Sequence, residues 1–397
     1  MSYVQDHLSR RDFLRNTACT AAATGAALSS SALAADVPAG KTPALPYGVL
    51  GRTKYPVTLV SFGAILIADS IGTRVVKAGI DAGMNLLHTS MTYMKGKSVP
   101  AIGELFKADK RYREKVFLCL KSFTPDKDQE LNEMLEALGT DYTDVLLSTM
   151  DKPDPARLET IQKAQESLKK RGKIRHTGFV CHGDMNGVCE MVLEKASDFF
   201  DVCLLSTAPL GLAGDRRSPK ADEQTQRFIK NLKALRSKGV GILSMKSGAK
   251  EASRRGAEVF GPHVKAVLAA GCDSVLTSIN TLDQVGMIRT LKLQASTTPA
   301  DEQAAAEFSR SRGNACMMCG QCSKVCPNGV PVADLMRIRM YYREYGWCDH
   351  ARSEFQALGR NLPALTARCS DCTVCGRACP AGLANSLLVQ DIASLFA

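Results

Sequence analysis

The 397-residue chain is long enough for two or three domains, and its hydrophobic content of 45% allows a large buried core. Its formal net charge of +11 raises the question of nucleic-acid binding. However, the basic residues lie in short clusters such as 107–115 and 167–176, and aromatic residues make up only 6%. We therefore expect no nucleic-acid partner, and we assign the clusters to solvated helix faces or to docking of an acidic redox partner protein. No run of eighteen apolar residues occurs, which predicts no integral membrane segment.

The N-terminus carries an export pattern. Arg10 and Arg11 stand in the stretch SRRDFLR (9–15), and a weakly apolar Ala/Ser/Thr-rich stretch (16–34) ends in the small residues Ala-Leu-Ala. The pattern resembles a twin-arginine (Tat) signal, and a disordered basic tail is the alternative. The resemblance implies export by the Tat translocase to a periplasmic or otherwise extracytoplasmic location in a bacterium. That route moves folded proteins with their cofactors already inserted.

Eight short apolar runs alternate with helical patterns over about 240 residues. The runs span residues 57–63, 84–90, 116–122, 145–150, 174–180, 202–207, 240–247 and 274–279. Runs this apolar are typical of strands that are buried on both faces, as in a parallel sheet. Eight such units predict an α/β fold with a closed (β/α)8 TIM barrel, and a doubly wound open sheet is the alternative.

The pattern changes near residue 296. Helical patterns follow at 300–311, 332–346, 349–359 and 383–396, interrupted by two runs of cysteines. We predict a signal peptide at 1–34, the barrel at 35–295, and a small, mainly helical, ferredoxin-like domain at 296–397.

The two cysteine runs read CMMCGQCSKVCP (316–327) and CSDCTVCGRACP (369–380), and both follow C-x2-C-x2-C-x3-C-P. Zinc sites use two C-x2-C pairs and have no role for a third cysteine at this spacing. The runs therefore predict two [4Fe-4S] clusters rather than zinc or disulfides. They resemble two-cluster ferredoxins, in which the fourth cysteine of each run serves the other cluster. The implied sets are Cys316, Cys319, Cys322 and Cys379, and Cys369, Cys372, Cys375 and Cys326.

The barrel segment carries a family resemblance in five stretches. They are YGVLGRT (47–53), NLLHTSMTYMKGKSVPAIGELF (85–106), VFLCLK (116–121), LGTDYTDVLLSTM (138–150) and GKIRHTGF (172–179). These stretches resemble the aldo/keto reductases, and the similarity covers most of residues 47–294. The resemblance implies hydride transfer from NADPH to a carbonyl, with a tyrosine as general acid and a lysine that lowers its pKa.

By this resemblance, Tyr93 and Lys121 are the retained tyrosine and lysine. His88 stands where the family has an aspartate, and Thr149 where it has a histidine. Without the aspartate, Lys121 should lose its proton more easily. His88 is a candidate for hydrogen bonding or proton shuttling near neutral pH. Tyr93, Lys121 and His88 are therefore our catalytic candidates, and inherited packing without chemistry is the alternative.

The positions that hold NADPH in the family are changed in this chain. Cys181 and His182 replace a Ser-Asn pair, Leu204 replaces a glutamine, and Thr207 replaces the aromatic residue that stacks on the nicotinamide. The phosphate loop around Asn280 carries no arginine or lysine at the usual phosphate-binding positions before Arg289. We therefore expect no tight NADPH binding, and the resemblance does not indicate which further organic cofactor, if any, takes its place.

Together these features predict an exported iron–sulfur oxidoreductase of the aldo/keto reductase superfamily. Two clusters would carry electrons between a redox partner protein and a small-molecule substrate at the barrel mouth. A non-catalytic electron-relay or partner-binding module is one alternative. An NADPH-dependent carbonyl reductase is the other.

Overall fold

The computed structural model of the protein describes residues 45–124, 126–211, 219–311, 316, 318–344, 346–359, 362–379 and 381–396. These residues belong to one compact unit with the bounds Pro43–Ala397. The expected Tat signal at 1–34 lies outside the described residues. Within them, no helix is both long enough and apolar enough to cross a membrane.

Eight parallel strands close into a barrel. The strands are β3 (Val60–Gly63), β4 (Leu86–Thr89), β5 (Phe117–Ser122), β6 (Thr143–Thr149), β7 (Ile174–Cys181), β8 (Val202–Ser206), β9 (Gly241–Met245) and β10 (Ser274–Ser278). Each strand pairs with the next along the chain, and β10 pairs with β3 through Val275 and Val60 to complete the ring. This closure confirms the predicted barrel and excludes the open sheet. A hairpin of β1 (Tyr47–Leu50) and β2 (Tyr55–Thr58) precedes it.

Helices surround the barrel. They are α1 (Ser70–Asp81), α2 (Ser98–Ala108), α3 (Arg111–Glu114), α4 (Asp128–Leu138), α5 (Pro155–Lys170), α6 (Met185–Lys195), α7 (Pro219–Ser237), α8 (Ala249–Arg254), α9 (Ala257–Ala269) and α10 (Leu282–Thr290). Short 3-10 turns lie at Gly51–Thr53, Ala64–Leu66 and Ala208–Gly211. Side chains inside the barrel form one apolar cluster, and side chains between strands and helices form another. The strands read as continuous apolar runs because both of their faces are buried.

The next helix, α11 (Pro299–Ser311), packs on the barrel. Its Phe308 belongs to the barrel's outer apolar cluster and meets His263 of α9 edge-on at 5.1 Å between ring centroids. Its Asp301 pairs with Lys265 of α9 at 3.0 Å. Residues 299–311 are thus anchored to the barrel although the sequence pattern groups them with the C-terminal segment.

The remaining helices form a second, smaller core. They are α12 (Gln321–Lys324), α13 (Val332–Arg339), a π-helical turn (Met340–Glu344), α14 (Cys348–Ala357), α15 (Leu362–Ala367), α16 (Val374–Arg377) and α17 (Asn385–Phe396). Leu335, Phe355 and Val389 are buried in this core together with cysteines of both runs. The helix expected at 332–346 therefore changes from α to π at Met340, and π turns are frequent at functional sites.

Candidate functional site

The eight cysteines of the two runs form no disulfide in the described part of the chain, and they fall into two neighbouring groups. Cys316, Cys319, Cys322 and Cys379 line a single cavity. Burial raises the pKa of Cys369, and the thiols next to it that add to this effect are Cys326, Cys375 and Cys372. Each group therefore combines three cysteines of one run with the fourth of the other, as in the ligand sets that the ferredoxin resemblance implies. The binding of clusters by these groups stays a prediction.

The backbone around both groups directs amides at sulfur. The N–H of Met318 donates to Cys316 Sγ at 3.4 Å, and the N–H of Val330 donates to Cys326 Sγ at 3.3 Å. Met318 itself has a φ of 56°, a left-handed conformation that turns this loop around its sulfur atoms. Amide donors of this kind stabilise the negative charge of cluster thiolates. In the described part of the chain, no three potential ligands are placed to hold a single metal ion.

The first cysteine group faces the barrel across a cavity of about 520 Å³, a volume typical of ligand sites. The barrel contributes residues that follow β6 and β7, and the C-terminal helices contribute the opposite wall. Its polar lining includes Thr149, Asp151, Arg157, His182, Asp184, Asp334, Arg337 and Asn385. Lys324 next to the cysteines forms a 2.5 Å ion pair with Asp184 of the barrel, which fixes the two walls relative to each other.

The catalytic candidates converge at the barrel mouth. Tyr93, Lys121 and His88 line a smaller cavity of about 90 Å³. The Tyr93 hydroxyl lies 3.4 Å from His88 Nδ1, and Lys121 Nζ lies 5.1 Å from the centroid of the Tyr93 ring. Thr149 is not part of this cavity and lines the larger one, where its hydroxyl lies 3.5 Å from the guanidinium of Arg157.

The protonation states of Tyr93 and Lys121 differ in part from those that the family resemblance implies. Burial, with a smaller effect of Tyr341, holds the pKa of the Tyr93 hydroxyl well above its ordinary value. Lys121 does not counter this shift, because its ammonium faces the ring of Tyr93 rather than the hydroxyl. Burial and the charge of Arg337 lower the pKa of Lys121 to about 8, in the direction expected from the sequence. Tyr93 is therefore a neutral proton donor at ordinary pH.

His182 connects the two cavities, because it lines both. Its backbone N–H donates to Asp151 Oδ1 at 2.6 Å, and its ring Nδ1 lies 3.6 Å from the same oxygen. Burial and the charge of Lys246 lower the pKa of His182, so its ring is neutral beside an ionised Asp151. The sequence placed His182 at a strand end but gave it no role of its own.

Three further residues at the mouth were not assigned a function from the sequence. Lys246 follows β9 with a left-handed φ of 55°, a strained conformation for lysine, and its Nζ lies 3.5 Å from Tyr341 Oη. Tyr341 and Trp347 of the C-terminal helices stack at 5.6 Å between ring centroids and line the mouth. No local signal in the sequence indicates that these aromatic residues reach the barrel.

Comparison with known protein families gives a match within the barrel. Residues 67–247, somewhat less than half of the chain, match the aldo/keto reductase family. This segment is therefore similar to that family. The match leaves out the C-terminal helices and their cysteines.

Several solved structures resemble the described part of the chain in fold. The aldo-keto reductase AKR11C1 from Bacillus halodurans in its holo form is 18% identical, covers 66% of this chain and 96% of its own, and has a TM-score of 0.50. Its apo form is 19% identical with the same coverage and a TM-score of 0.49. A Pseudomonas aeruginosa protein provisionally named an aldo-keto reductase is 17% identical, covers 67% of this chain and 99% of its own, and has a TM-score of 0.49. No curated protein matches the sequence significantly.

We expect Lys121 to lose its proton near pH 8, because burial and the charge of Arg337 lower its pKa to about 8. Below this pH the side chain is an ammonium, and any step that needs its charge should fail progressively as the pH rises through 8. Competitive labelling with trace acetic anhydride over a pH series, read by peptide mass spectrometry, would give its titration curve. Lys163, which is 75% exposed, reports reagent delivery in the same digest. A midpoint at the ordinary lysine pKa of about 10.4 would contradict this expectation.

Proposed function

We propose that the protein is an exported iron–sulfur oxidoreductase that exchanges electrons between a redox partner protein and a small molecule bound at the barrel mouth. One observation carries the proposal. The first cysteine group and His182 line the same cavity, and His182 also lines the mouth with Tyr93 and Lys121. His182 thus lies between the cavity of the cysteines and the cavity of the catalytic candidates.

The two cysteine groups would each hold one [4Fe-4S] cluster, and a bound cluster supplies one-electron transfer. The protein's own residues would supply the proton and the enclosure. Neutral Tyr93, with its hydroxyl near His88, can donate a proton to a reacting atom in the mouth. Tyr341 and Trp347 line the mouth and add aromatic surface to it.

A non-catalytic relay module is the second candidate. It is favoured by the small volume of the mouth, about 90 Å³, which leaves no space for a large organic substrate. The variant Tyr93→Phe separates the two candidates once a substrate is found. A catalytic mouth needs the hydroxyl proton, whereas a relay would pass electrons to a partner at an unchanged rate.

The proposed redox function predicts the iron and sulfide content of the protein and the number of electrons that it takes up. Protein purified without oxygen should contain about eight iron and eight sulfide per chain and take up about two electrons from dithionite. Chemical analysis and an anaerobic titration followed by absorbance and electron paramagnetic resonance would measure both quantities. If the protein has its full iron content but takes up no electrons from dithionite, electron exchange is not its function.

Export is proposed from the stretch SRRDFLR with its Ala-Leu-Ala ending. Changing both Arg10 and Arg11 to lysine should retain the protein in the cytosol, because the paired arginines are the address that the Tat translocase reads. Cell fractionation with immunodetection would measure the distribution. The matched control changes Arg111, whose side chain is 80% exposed on α3, to lysine. Unchanged periplasmic protein in the double variant would show that the arginines are not an export address.

A further inference from the structure

The barrel mouth contains two lysine side chains, Lys121 and Lys246, that form no ion pair with a carboxylate among the described residues. Lys121 is 6% exposed, and its Nζ faces the rings of Tyr93 and Phe123 at 5.1 and 4.6 Å from their centroids. Lys246 contacts the hydroxyl of Tyr341 at 3.5 Å. Among the described residues, no carboxylate lies within ion-pair distance of either ammonium. The mouth therefore lacks the negative group that normally accompanies a buried cation.

This arrangement is electrostatically unfavourable as long as the cavity holds only water. Buried cations lose hydration, and two cations that line one cavity also repel each other. Arg337 adds to the repulsion, since its charge lowers the pKa of both lysines after burial, while Asp151 and Glu354 act in the opposite direction. An anion between the two lysines would relieve the repulsion and favour the charged form of both.

The mouth has a further unused polar group. His88 Nε2 is buried and has no hydrogen-bond partner among the described residues. Together with the Tyr93 hydroxyl it can contact the oxygen atoms of a ligand. A buried polar atom without a partner is energetically unfavourable, and a bound oxygen would remove this penalty.

The volume and the walls of the cavity limit the ligand. A volume of about 90 Å³ suits a small molecule. The apolar part of the lining comes from Ile65, Met245, Leu276 and Trp347. A lining that combines apolar side chains with two lysines suits a small organic acid better than an inorganic oxyanion, which has polar atoms on every side.

We propose that the barrel mouth binds a small carboxylate of two or three carbons, with its charged end between Lys121 and Lys246 and its carbon end against the apolar wall. Because this assignment names the substrate class of the reaction proposed above, it rests on that proposed function. It also accounts for the presence of two lysines without a carboxylate partner among the described residues at a cavity of this size.

The proposal is tested with acetate as the probe and the full-length protein with its clusters intact. Acetamide is the matched control because it has the same shape without the charge. Binding is measured by line broadening of ¹³C-labelled acetate or by calorimetry. We expect acetate to bind at least roughly tenfold more tightly than acetamide, as a charge-assisted hydrogen bond requires. Equal binding of acetamide, or no binding of acetate, would overturn the proposal.

Variants identify the site. Lys246→Met, which keeps the length of the side chain and removes its charge, should weaken acetate binding by roughly tenfold or more. Lys163→Met, at an exposed position on α5, should leave it unchanged. An unchanged acetate affinity in Lys246→Met, or phosphate binding as tight as acetate in the original protein, would overturn the assignment.

The same samples distinguish this inference from the proposed function. Iron content and electron uptake are recorded for each preparation. Normal values without acetate binding would overturn the carboxylate site and leave the redox function standing. Acetate binding in a chain that holds no iron would support the site and overturn the redox function.

Discussion

Replacing Cys322 by serine should reduce the iron content of the protein from about eight to about four per chain. Cys322 is 8% exposed and lines the larger cavity with the other thiols of its group. A serine hydroxyl is a harder and less acidic ligand than a thiol, so it does not replace a thiolate on iron. Iron and sulfide analysis with electron paramagnetic resonance of the reduced protein would show the loss of one of two signals.

The grouping of the thiols allows a sharper form of this test. Cys379→Ser should remove the same signal as Cys322→Ser, although it lies in the other run, because Cys379 belongs to the first group. Cys326→Ser should remove the other signal, because Cys326 neighbours Cys369. Cys348→Ser is the matched control, since Cys348 is exposed and belongs to neither group. Loss of both signals in every variant, or zinc as the main metal, would refute the assignment.

The barrel could be predicted because its signal is repeated and local. Each of the eight predicted runs overlaps a barrel strand, since strands buried on both faces admit almost only apolar residues. The predicted ends of the strands were less accurate. The run at 57–63 includes the last residues of β2 and all of β3, and apolar content alone does not reveal the break between them.

The functional site could be predicted only where its residues lie in short motifs or at strand ends. The cysteine groups follow from the spacing within two runs, and Tyr93 and Lys121 follow from stretches similar to a family. Tyr341 and Trp347 reach the barrel mouth through tertiary packing, and no pattern near them in the sequence records that contact. The orientation of Lys121 toward the ring of Tyr93 likewise depends on side-chain packing, so its effect on the Tyr93 pKa was not predictable.

Lys250 is a residue that the sequence argument about NADPH overlooked. It lies in the first turn of α8. Its Nζ donates to Ser278 O at 2.9 Å and to Asn280 Oδ1 at 2.6 Å. A cation therefore stands beside the loop that was expected to lack one. However, its ammonium is already used to hold that loop, and burial lowers its pKa to about 8. Both features reduce its ability to bind a phosphate.

We expect NADPH to bind this protein at least about a hundredfold more weakly than it would bind a barrel that keeps the family's contact residues, because several contacts are lost at once. Leu204 and Thr207, at the positions of the family's glutamine and stacking aromatic residue, are both fully buried. The Thr207 hydroxyl lies 2.5 Å from Ser244 Oγ, so it already has a partner. A carboxamide facing Leu204 loses a hydrogen bond, at about 1–3 kcal/mol, and the mouth of about 90 Å³ offers little space for a nicotinamide ring.

A calorimetric titration of the intact protein with NADPH, together with a carbonyl-reduction assay, measures this expectation directly. The expected result is no saturation in the low micromolar range and no NADPH-dependent reduction of simple aldehydes above background. Lys250→Met tests the overlooked cation, and Lys163→Met is its exposed control. Low-micromolar affinity that Lys250→Met weakens and Lys163→Met preserves, with turnover abolished by Tyr93→Phe, would restore the carbonyl reductase. In that case Lys250 would be the phosphate ligand, and the hydrogen bonds that it now donates to Ser278 and Asn280 would have to rearrange when the cofactor binds.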